Sequence, residues 1–322
     1  MKRSRSFSRR ILGYRQKKLT KSLIYSFITL LFVVLMIYLS FCCPLKEISE
    51  DLLYTLGISE FSYHAKEYPL SVHFIDVGSG DCVLIHTDEV NILVDMGEYS
   101  CDSKASEYLK RADIGQIDLF IATHPDSDHI GDFASVTDST DIKEIWFSRF
   151  CIKDQSEQSE DEKIFFRTLK EKNIKLTCPE TGKYHFGKLS LEIIAPTEDM
   201  GNDNDNSIVF RMTYKEKSFL FTGDAGKKTE QQLLKSGKDI SCDVLKVGHH
   251  GSKGSTTEAF LQAVSPACAV ISAGDDNIYL PNREVVDRLE DFGCEIYRTD
   301  TDGCIIIATD GKELTVLTEK TE

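Results

Sequence analysis

The cysteines of this sequence lack the spacing that two well-known protein classes require. Ten cysteines occur in 322 residues, and no two of them form a CxxC pair. The sequence is therefore not that of a zinc ribbon or a small disulfide scaffold. Several cysteines lie in apolar runs such as SPACAVISA (265–273), where a buried free thiol is expected, and no disulfide pairing is fixed by the sequence.

Internal repeats and strong compositional bias are also missing. No repeat of 20–50 residues is apparent, which excludes solenoid and propeller architectures. Apolar residues make up 41% and charged residues 28% of the chain, as in a globular protein and not a disordered one. Acidic residues are absent from residues 1–21, which hold nine basic ones. The remainder has 29 basic against 52 acidic residues, a net charge of −23.

Residues 23–41, LIYSFITLLFVVLMIYLSF, contain no charged side chain. As a helix this run would span roughly 28 Å, close to the hydrocarbon thickness of a bilayer. A buried soluble helix and a cleaved signal peptide are the alternatives. The run is long for a signal peptide, and FCCPL (41–45) lacks a small-x-small cleavage site. The sequence therefore predicts one uncleaved transmembrane helix.

The predicted organisation follows from this anchor. We expect a basic cytoplasmic tail (1–22), a transmembrane anchor (23–43), a spacer (44–69) and an outer domain (70–318). The basic tail should stay in the cytoplasm, which predicts a single-pass cell-membrane protein whose outer domain is extracellular.

Strand-like apolar runs alternate with helical segments along the outer domain. Residues 207–224, SIVFRMTYKEKSFLFTGD, predict a hairpin with its turn near residues 215–217. Residues 295–318 predict β-strands around two Asp-Gly turns. Because hairpin and βα arrangements both occur, the fold class is α/β with a mixed sheet.

Potential metal ligands follow several of the predicted strands. His124, Asp126, Asp128 and His129 lie in HPDSDH, which follows IDLFIAT, and a proline at position 125 ends that strand. Other strand-like runs end before further ligand-type residues, which are Asp95, Asp224, His249 and His250. Asp is common in turns, so one such residue alone means little. Four of the eight histidines fall in two strand-end clusters, however, and α/β sites form at the carboxyl ends of strands.

The mixture of aspartates and histidines indicates the kind of ion. Carboxylate oxygens favour harder ions such as Mn²⁺ over a site built for Zn²⁺ alone, so two divalent ions, Zn²⁺ or Mn²⁺, are the expected cofactors. Two such ions would activate a water molecule for hydrolysis.

The order of these motifs resembles the metallo-β-lactamase superfamily and, within it, the hydrolase domain of the ComEC competence proteins and their stand-alone relatives. The resemblance covers about residues 70–318 and rests on eight segments in this order: FIDVGSGDCVLI, NILVDMG, THPDSDHIGDF, NDNSIVFRM, FLFTGD, VLKVGHHGS, SAGDDN and YRTDTDG. It implies an αβ/βα four-layer sandwich with the metal ions at one edge.

The resemblance also implies a role for each ligand-type residue. His124 and Asp126 would hold one metal ion, and Asp128, His129 and one histidine of the 249–250 pair the other. Asp224 would bridge the two ions, and Asp95 would support the site by hydrogen bonding. His250 is the favoured ligand of its pair and His249 the favoured proton donor, although the sequence does not order them. His249 and Asp128 are the candidate catalytic residues.

Three positions depart from the family pattern. Asp126 replaces the middle histidine of HxHxDH, as in ComEC-type members. Asn206 and Ser207, in Asp205-Asn206-Ser207, stand where many members have another histidine for the first metal, and here they are expected to support the site. Leu280 precedes a proline where ComEC-type sequences often have Gly-His-Pro.

The sequence thus predicts a membrane-anchored metallohydrolase of phosphodiesters, with DNA as one candidate substrate. One alternative is hydrolysis of an envelope phosphoester, such as choline phosphate or teichoic acid, or of a lactone. Another is an inactive, metal-stabilised scaffold. A charge of −23 opposes avid duplex binding unless a local basic strip exists. Lys227, Lys228, Lys246, Lys253 and Arg298 could form such a strip near the strand ends. The alternative is that these basic residues are scattered over the solvated surface.

Overall fold

The computed structural model describes residues 68–100, 103–275 and 277–320. The predicted tail (1–22), anchor (23–43) and all but the last two residues of the spacer (44–69) lie outside these ranges. Within the described ranges, no helix combines the length and the apolar character needed to cross a bilayer.

Eight strands form the first sheet, in the order β17-β16-β1-β2-β3-β5-β7-β8. They are β1 (Leu70–Phe74), β2 (Val83–Thr87), β3 (Asn91–Val94), β5 (Leu119–Ala122), β7 (Glu144–Phe147), β8 (Lys175–Thr177), β16 (Ile305–Thr309) and β17 (Leu314–Thr318). Strands β3, β5, β7 and β8 are parallel, and the other pairs are antiparallel.

Seven strands form the second sheet, in the order β15-β14-β13-β12-β11-β10-β9. They are β9 (Gly182–Phe186), β10 (Leu189–Ala195), β11 (Val209–Tyr214), β12 (Lys217–Phe221), β13 (Val244–Lys246), β14 (Cys268–Ile271) and β15 (Glu295–Arg298). Strands β12 to β15 are parallel, and β9 to β12 are joined by antiparallel pairing. The predicted β11–β12 hairpin is confirmed, with Tyr214 paired to Lys217. A small separate ladder pairs β4 (Gln116–Ile117) with β6 (Asp141–Ile142).

Helices cover the outer face of each sheet. They are α1 (Lys104–Arg111), α2 (Ser127–Ile130), α3 (Phe133–Ser139), α4 (Glu160–Glu171), α5 (Lys227–Ser236), α6 (Glu258–Val264), α7 (Arg283–Phe292) and α8 (Thr299–Asp302). Two 3-10 turns occur at Arg149–Cys151 and Gly248–Gly251.

Three buried apolar clusters separate four layers. In β5, Leu119 and Ile121 face the second sheet, whereas Phe120 and Ala122 face α1, α3 and α4. This period-2 alternation explains why an entirely apolar run forms a strand that is buried on both faces. A third cluster packs the second sheet against α5, α6 and α7. The αβ/βα four-layer sandwich implied by the resemblance is confirmed.

The strands predicted in residues 295–318 are present as β15, β16 and β17, but the first Asp-Gly turn does not form a hairpin. Residues 299–302 form α8, and Gly303 follows at φ 69°. Strand β15 lies in the second sheet and β16 in the first, so this segment connects the two sheets. The second turn, at Asp310-Gly311, does join the antiparallel strands β16 and β17.

The expectation of buried free thiols agrees with the structure. Each of the seven cysteines in the described ranges is a free thiol, and five of them are buried. Burial raises the pKa of the Cys242 thiol, which disfavours its reactive thiolate form.

Candidate metal centre

The carboxyl ends of several strands bring the predicted ligands together. His124 follows β5, and Asp126 occupies the N-cap position of α2, so the chain turns between the two halves of HPDSDH. Asp224 follows β12, and the 3-10 turn that holds His249 and His250 follows β13. Since β12 and β13 are parallel neighbours, their loops lie side by side.

Asp224 lies at the centre of the site, and its two carboxylate oxygens face different histidines. Its Oδ1 is 3.4 Å from His129 Nε2 and 3.6 Å from His250 Nε2. Its Oδ2 is 3.8 Å from His124 Nε2 and 3.5 Å from His249 Nε2. One buried carboxylate thus joins two groups of imidazoles.

The other two predicted carboxylate ligands fall one on each side of Asp224. Asp126 Oδ2 is 3.6 Å from His124 Nε2. Asp128 Oδ2 is 3.2 Å from His250 Nε2, and its Oδ1 is 3.9 Å from His129 Nε2. The structure therefore brings together the six residues proposed from the sequence as ligands, with His249 beside them.

Hydrogen bonds on the outer ring nitrogens orient three of the imidazoles. His129 Nδ1 donates to Asp95 Oδ2 over 2.8 Å, and His250 Nδ1 donates to the Ser272 carbonyl over 3.1 Å. Thr123 Oγ1 donates to Asp95 Oδ2, and it can therefore accept from His124 Nδ1 at 3.1 Å. These bonds fix the tautomers that leave each Nε2 as a free lone pair, as metal-binding histidines require.

The atoms that face the centre lack other hydrogen-bond partners. Nε2 of His124, His129 and His250 and Oδ1 of Asp224 are buried without a hydrogen bond. Buried polar groups are nearly always satisfied, and four unsatisfied nitrogen and oxygen atoms around one point are the donor set that a divalent cation would complete. The residues present therefore fit the metal ions that the resemblance implies.

Asp95 and Ser207 contact the site without facing its centre. Asp95 accepts from the Thr123 amide and from His129, which links β3 to the HPDSDH loop. Ser207 Oγ accepts from the Asp224 amide over 3.1 Å. Asn206 accepts from the Met200 amide instead and stabilises its own loop.

The sequence did not predict a buried ion pair that lies next to the site. Asp81 and Lys246 are buried, and Lys246 Nζ is 2.8 Å from Asp81 Oδ1. The same carboxylate oxygen is 3.5 Å from His250 Nδ1. The signal for Asp81 was its place in GSGDC, two residues before the largely buried strand β2. Lys246 was assigned to a surface strip, but its ammonium lies inside the protein.

Two other members of the proposed basic strip form ion pairs. Lys253 pairs with Glu284 at 2.6 Å, and Arg298 pairs with Asp300. Lys228 donates to the Met200 carbonyl. With Lys246 buried, the alternative of scattered lysines describes these positions better than a continuous phosphate-binding strip.

Close backbone contacts lock the loops around the site. A Cβ on Gly80 would lie 2.6 Å from the Asp128 carbonyl oxygen. A Cβ on Gly131 would lie 2.7 Å from the Tyr99 amide nitrogen. Side chains larger than hydrogen would therefore push apart the loops that hold Asp128 and His129.

The charges at the centre shift the pKa values of several of its residues in the metal-free protein. Burial lowers the pKa of His129, but the carboxylates of Asp224 and Asp95 outweigh it and hold that pKa well above its usual value. Burial raises the pKa of Asp128, but His250 and His129 outweigh it and bring that pKa to about 2. By the same balance the pKa of Asp224 is well below its usual value and that of His250 is raised.

These shifts predict how the stability of the metal-free protein depends on pH. The lowered carboxyl pKa values stabilise the fold above about pH 4, and this contribution is lost as the pH falls towards 2. The raised histidine pKa values stabilise it fully below about pH 6.5, and this contribution is lost at higher pH. Urea unfolding in EDTA should therefore give a maximum free energy of unfolding between about pH 4 and 6.5.

The control for this prediction is the same titration with excess Zn²⁺. Bound metal would replace the protons on His129 and His250, so the decline above about pH 6.5 should disappear. Rising stability of the EDTA-treated protein between about pH 6.5 and 9 would contradict the prediction.

Comparison with known proteins identifies the family. The family profile described as the metallo-beta-lactamase superfamily matches residues 75–275. The chain belongs to the metallo-β-lactamase superfamily. The matched range contains every residue of the metal centre described above.

Curated relatives within this superfamily include competence proteins. The chain is 30% identical to ComE operon protein 3 of Bacillus subtilis over 302 residues, which cover 85% of this chain and 38% of that protein. It is 30% identical to competence protein ComA of Neisseria gonorrhoeae, with 71% of this chain and 31% of that protein covered. The chain thus spans about a third of the length of these relatives. The expected relationship to ComEC-type proteins is confirmed.

Solved structures support the same fold at low sequence identity. The metallo-β-lactamase fold protein YhfI of Bacillus subtilis is 12% identical, with a TM-score of 0.50 over 74% of this chain and 99% of that one. A CmlA beta-hydroxylase mutant, also 12% identical, has a TM-score of 0.51 over 74% of this chain and 54% of its own. These likenesses concern the metallo-β-lactamase fold alone.

Proposed function

We propose that this protein is a metal-dependent hydrolase of phosphodiesters. The observation that carries the proposal is Asp224, whose Oδ1 faces His129 and His250 and whose Oδ2 faces His124 and His249. His124 and Asp126 would hold one divalent ion, and Asp128, His129 and His250 the other, with Asp224 shared between them. When bound, two such ions would supply an activated water and stabilise charge on the ester oxygens.

The ligand set favours phosphoester chemistry with hard ions. Three of the six central ligands are carboxylates, including Asp126 in place of the family's usual histidine, and carboxylates suit Mn²⁺ as well as Zn²⁺. Asp95 holds the His129 ring in place, and Ser207 holds the Asp224 backbone, so both support the ligands. The fixed tautomers of the three imidazoles avoid reorganisation during the reaction.

DNA is the candidate polymer substrate, because the curated relatives are competence proteins. Lys246, Lys253 and Arg298 are held in ion pairs, which weakens the attraction for a duplex, so single strands or short phosphodiesters are the favoured form. We also propose that residues 23–43 anchor the domain at the cell surface, with residues 1–22 in the cytoplasm. The charge-free run and the basic tail before it support this topology.

A specific observation favours an envelope phosphoester with a cationic group as the second candidate. A cavity of about 330 Å³ is lined by four carboxylates and one ammonium, which belong to Asp76, Glu98, Asp275, Asp300 and Lys104. Tyr99, 61% exposed, also lines it. Acidic and aromatic side chains are the groups that bind quaternary ammonium. This cavity adjoins the Gly80 and Gly131 contacts of the site.

The test is hydrolysis by the full-length chain in detergent with Mn²⁺ or Zn²⁺. We expect turnover of bis-(p-nitrophenyl) phosphate and of single-stranded DNA, lost in His124→Ala and retained in His185→Ala, an exposed histidine of β9. Preferred turnover of p-nitrophenyl phosphorylcholine without DNA cleavage would favour the second candidate. Bound metal with no turnover of any of the three would indicate the scaffold alternative instead.

A further inference from the structure

Two consecutive histidines share an unusual backbone conformation in the loop after β13. His249 has φ 49° and ψ 50°, and His250 has φ 51° and ψ 28°. Both lie in the left-handed region, which residues other than glycine rarely occupy and which is retained mainly where function requires it. The His249 amide donates to the Gly223 carbonyl, and the Ser252 amide donates to the His249 carbonyl, so the turn is held on both sides.

This conformation directs the two rings to opposite oxygens of Asp224. His250 Nε2 is 3.6 Å from Oδ1, the oxygen shared with His129. His249 Nε2 is 3.5 Å from Oδ2, the oxygen shared with His124. His124 and His249 thus face Oδ2, His129 and His250 face Oδ1, and His249 is as near to Asp224 as the other three.

The family pattern has another histidine for the His124 half at residues 205–207, and this chain has none there. Asn206 and Ser207 do not replace it. The Asn206 side chain bonds to the Met200 amide and to Asp199, and the Ser207 hydroxyl accepts from the Asp224 amide. The His249 side chain faces this half and is 35% exposed, whereas His124 is buried. His249 would therefore lie between the first metal ion and the solvent.

We propose that His249 is a metal ligand of the His124–Asp126 half, which it completes in place of the histidine missing at residues 205–207. Both histidines of the 249–250 pair then bind metal, one on each side of Asp224. This assignment rests on the proposed metal-dependent function. It replaces the role of proton donor that the sequence suggested for His249.

The experiment is Co²⁺ binding by the full-length chain, read by metal content and by visible absorption. The variants are His249→Gly and His250→Gly, because glycine accepts the left-handed backbone without strain. We expect about two ions per wild-type chain and about one in either variant, with different parts of the absorption lost in each. His124→Ala should lose the same absorption as His249→Gly, and the double variant should lose no more.

Each outcome bears on the inference, and His185→Ala is the control for loss of a histidine elsewhere. Two ions and an unchanged spectrum in His249→Gly would overturn the inference while leaving the metal centre intact. One ion in the saturated wild-type chain would also overturn it, since the first half would then be empty. No bound ion in the wild type would instead refute the proposed function itself. If His249→Gly does not fold, His249→Asn removes the imidazole with a residue that tolerates this backbone.

Discussion

Replacing Asp224 by alanine should abolish the proposed phosphodiesterase activity, with kcat/KM at least about 10³-fold lower. Asp224 places one oxygen near His129 and His250 and the other near His124 and His249. Loss of one histidine leaves one half complete, whereas loss of this carboxylate removes a ligand from both. We expect fewer than about one bound ion per chain, measured after dialysis against excess Zn²⁺.

Two variants separate loss of the bridge from a general effect of removing charge. Asp224→Asn keeps the shape but offers one oxygen in place of two, so it should lose one half of the site more than the other. Asp138→Ala removes a carboxylate that is 79% exposed and pairs with Lys172, and its kcat/KM should match the wild type. Two tightly bound ions and normal turnover in Asp224→Ala would show that Asp224 is not the bridge.

The arrangement of the site could be predicted because its residues follow strands that the sequence shows clearly. Runs such as IDLFIAT and FLFTGD are short, apolar and ended by proline or glycine. Sites of α/β folds form at the carboxyl ends of strands, and the structure brings His124, after β5 of the first sheet, within 3.8 Å of Asp224, after β12 of the second. The turn before His129 was also expected, and it is the start of α2. Local sequence pattern and strand direction together determine these positions.

Features that depend on contacts between distant segments could not be predicted in the same way. Asp81 and Lys246 are 165 positions apart, and nothing local distinguishes a buried lysine from one that ends a strand at the surface. The Asp-Gly of residues 302–303 looks like a hairpin turn, but β15 and β16 pair in different sheets. His249 and His250 face different oxygens of Asp224 because both have a left-handed backbone, which no sequence pattern indicated.

Replacing Lys246 by methionine should destabilise the metal-free protein by about 3–5 kcal/mol, because it leaves a buried carboxylate without its charge partner. Lys246 and Asp81 are 2% and 3% exposed, and Lys246 Nζ also donates to the Val247 carbonyl. Burial raises the pKa of Asp81, but Lys246 and His250 outweigh it and lower that pKa. Without the ammonium, burial should prevail and favour the protonated acid. The measurement is urea unfolding in EDTA.

A double-variant cycle and a pH series identify the mechanism of this destabilisation. Lys246→Met with Asp81→Asn should be more stable than Lys246→Met alone, since the unpaired charge is gone. The loss of stability in Lys246→Met should shrink as the pH falls towards about 4, because the unpaired carboxyl, whose pKa burial would raise, gains its proton in that range. Lys143→Met breaks an exposed pair with Asp118 of similar length, 2.7 Å, and should cost no more than about 1 kcal/mol. Equal effects of Lys246→Met and Lys143→Met would contradict the prediction. A large loss of unfolding free energy confined to Lys246→Met would show that this buried pair stabilises the segment of Asp81, which contacts His250 and the Asp128 carbonyl.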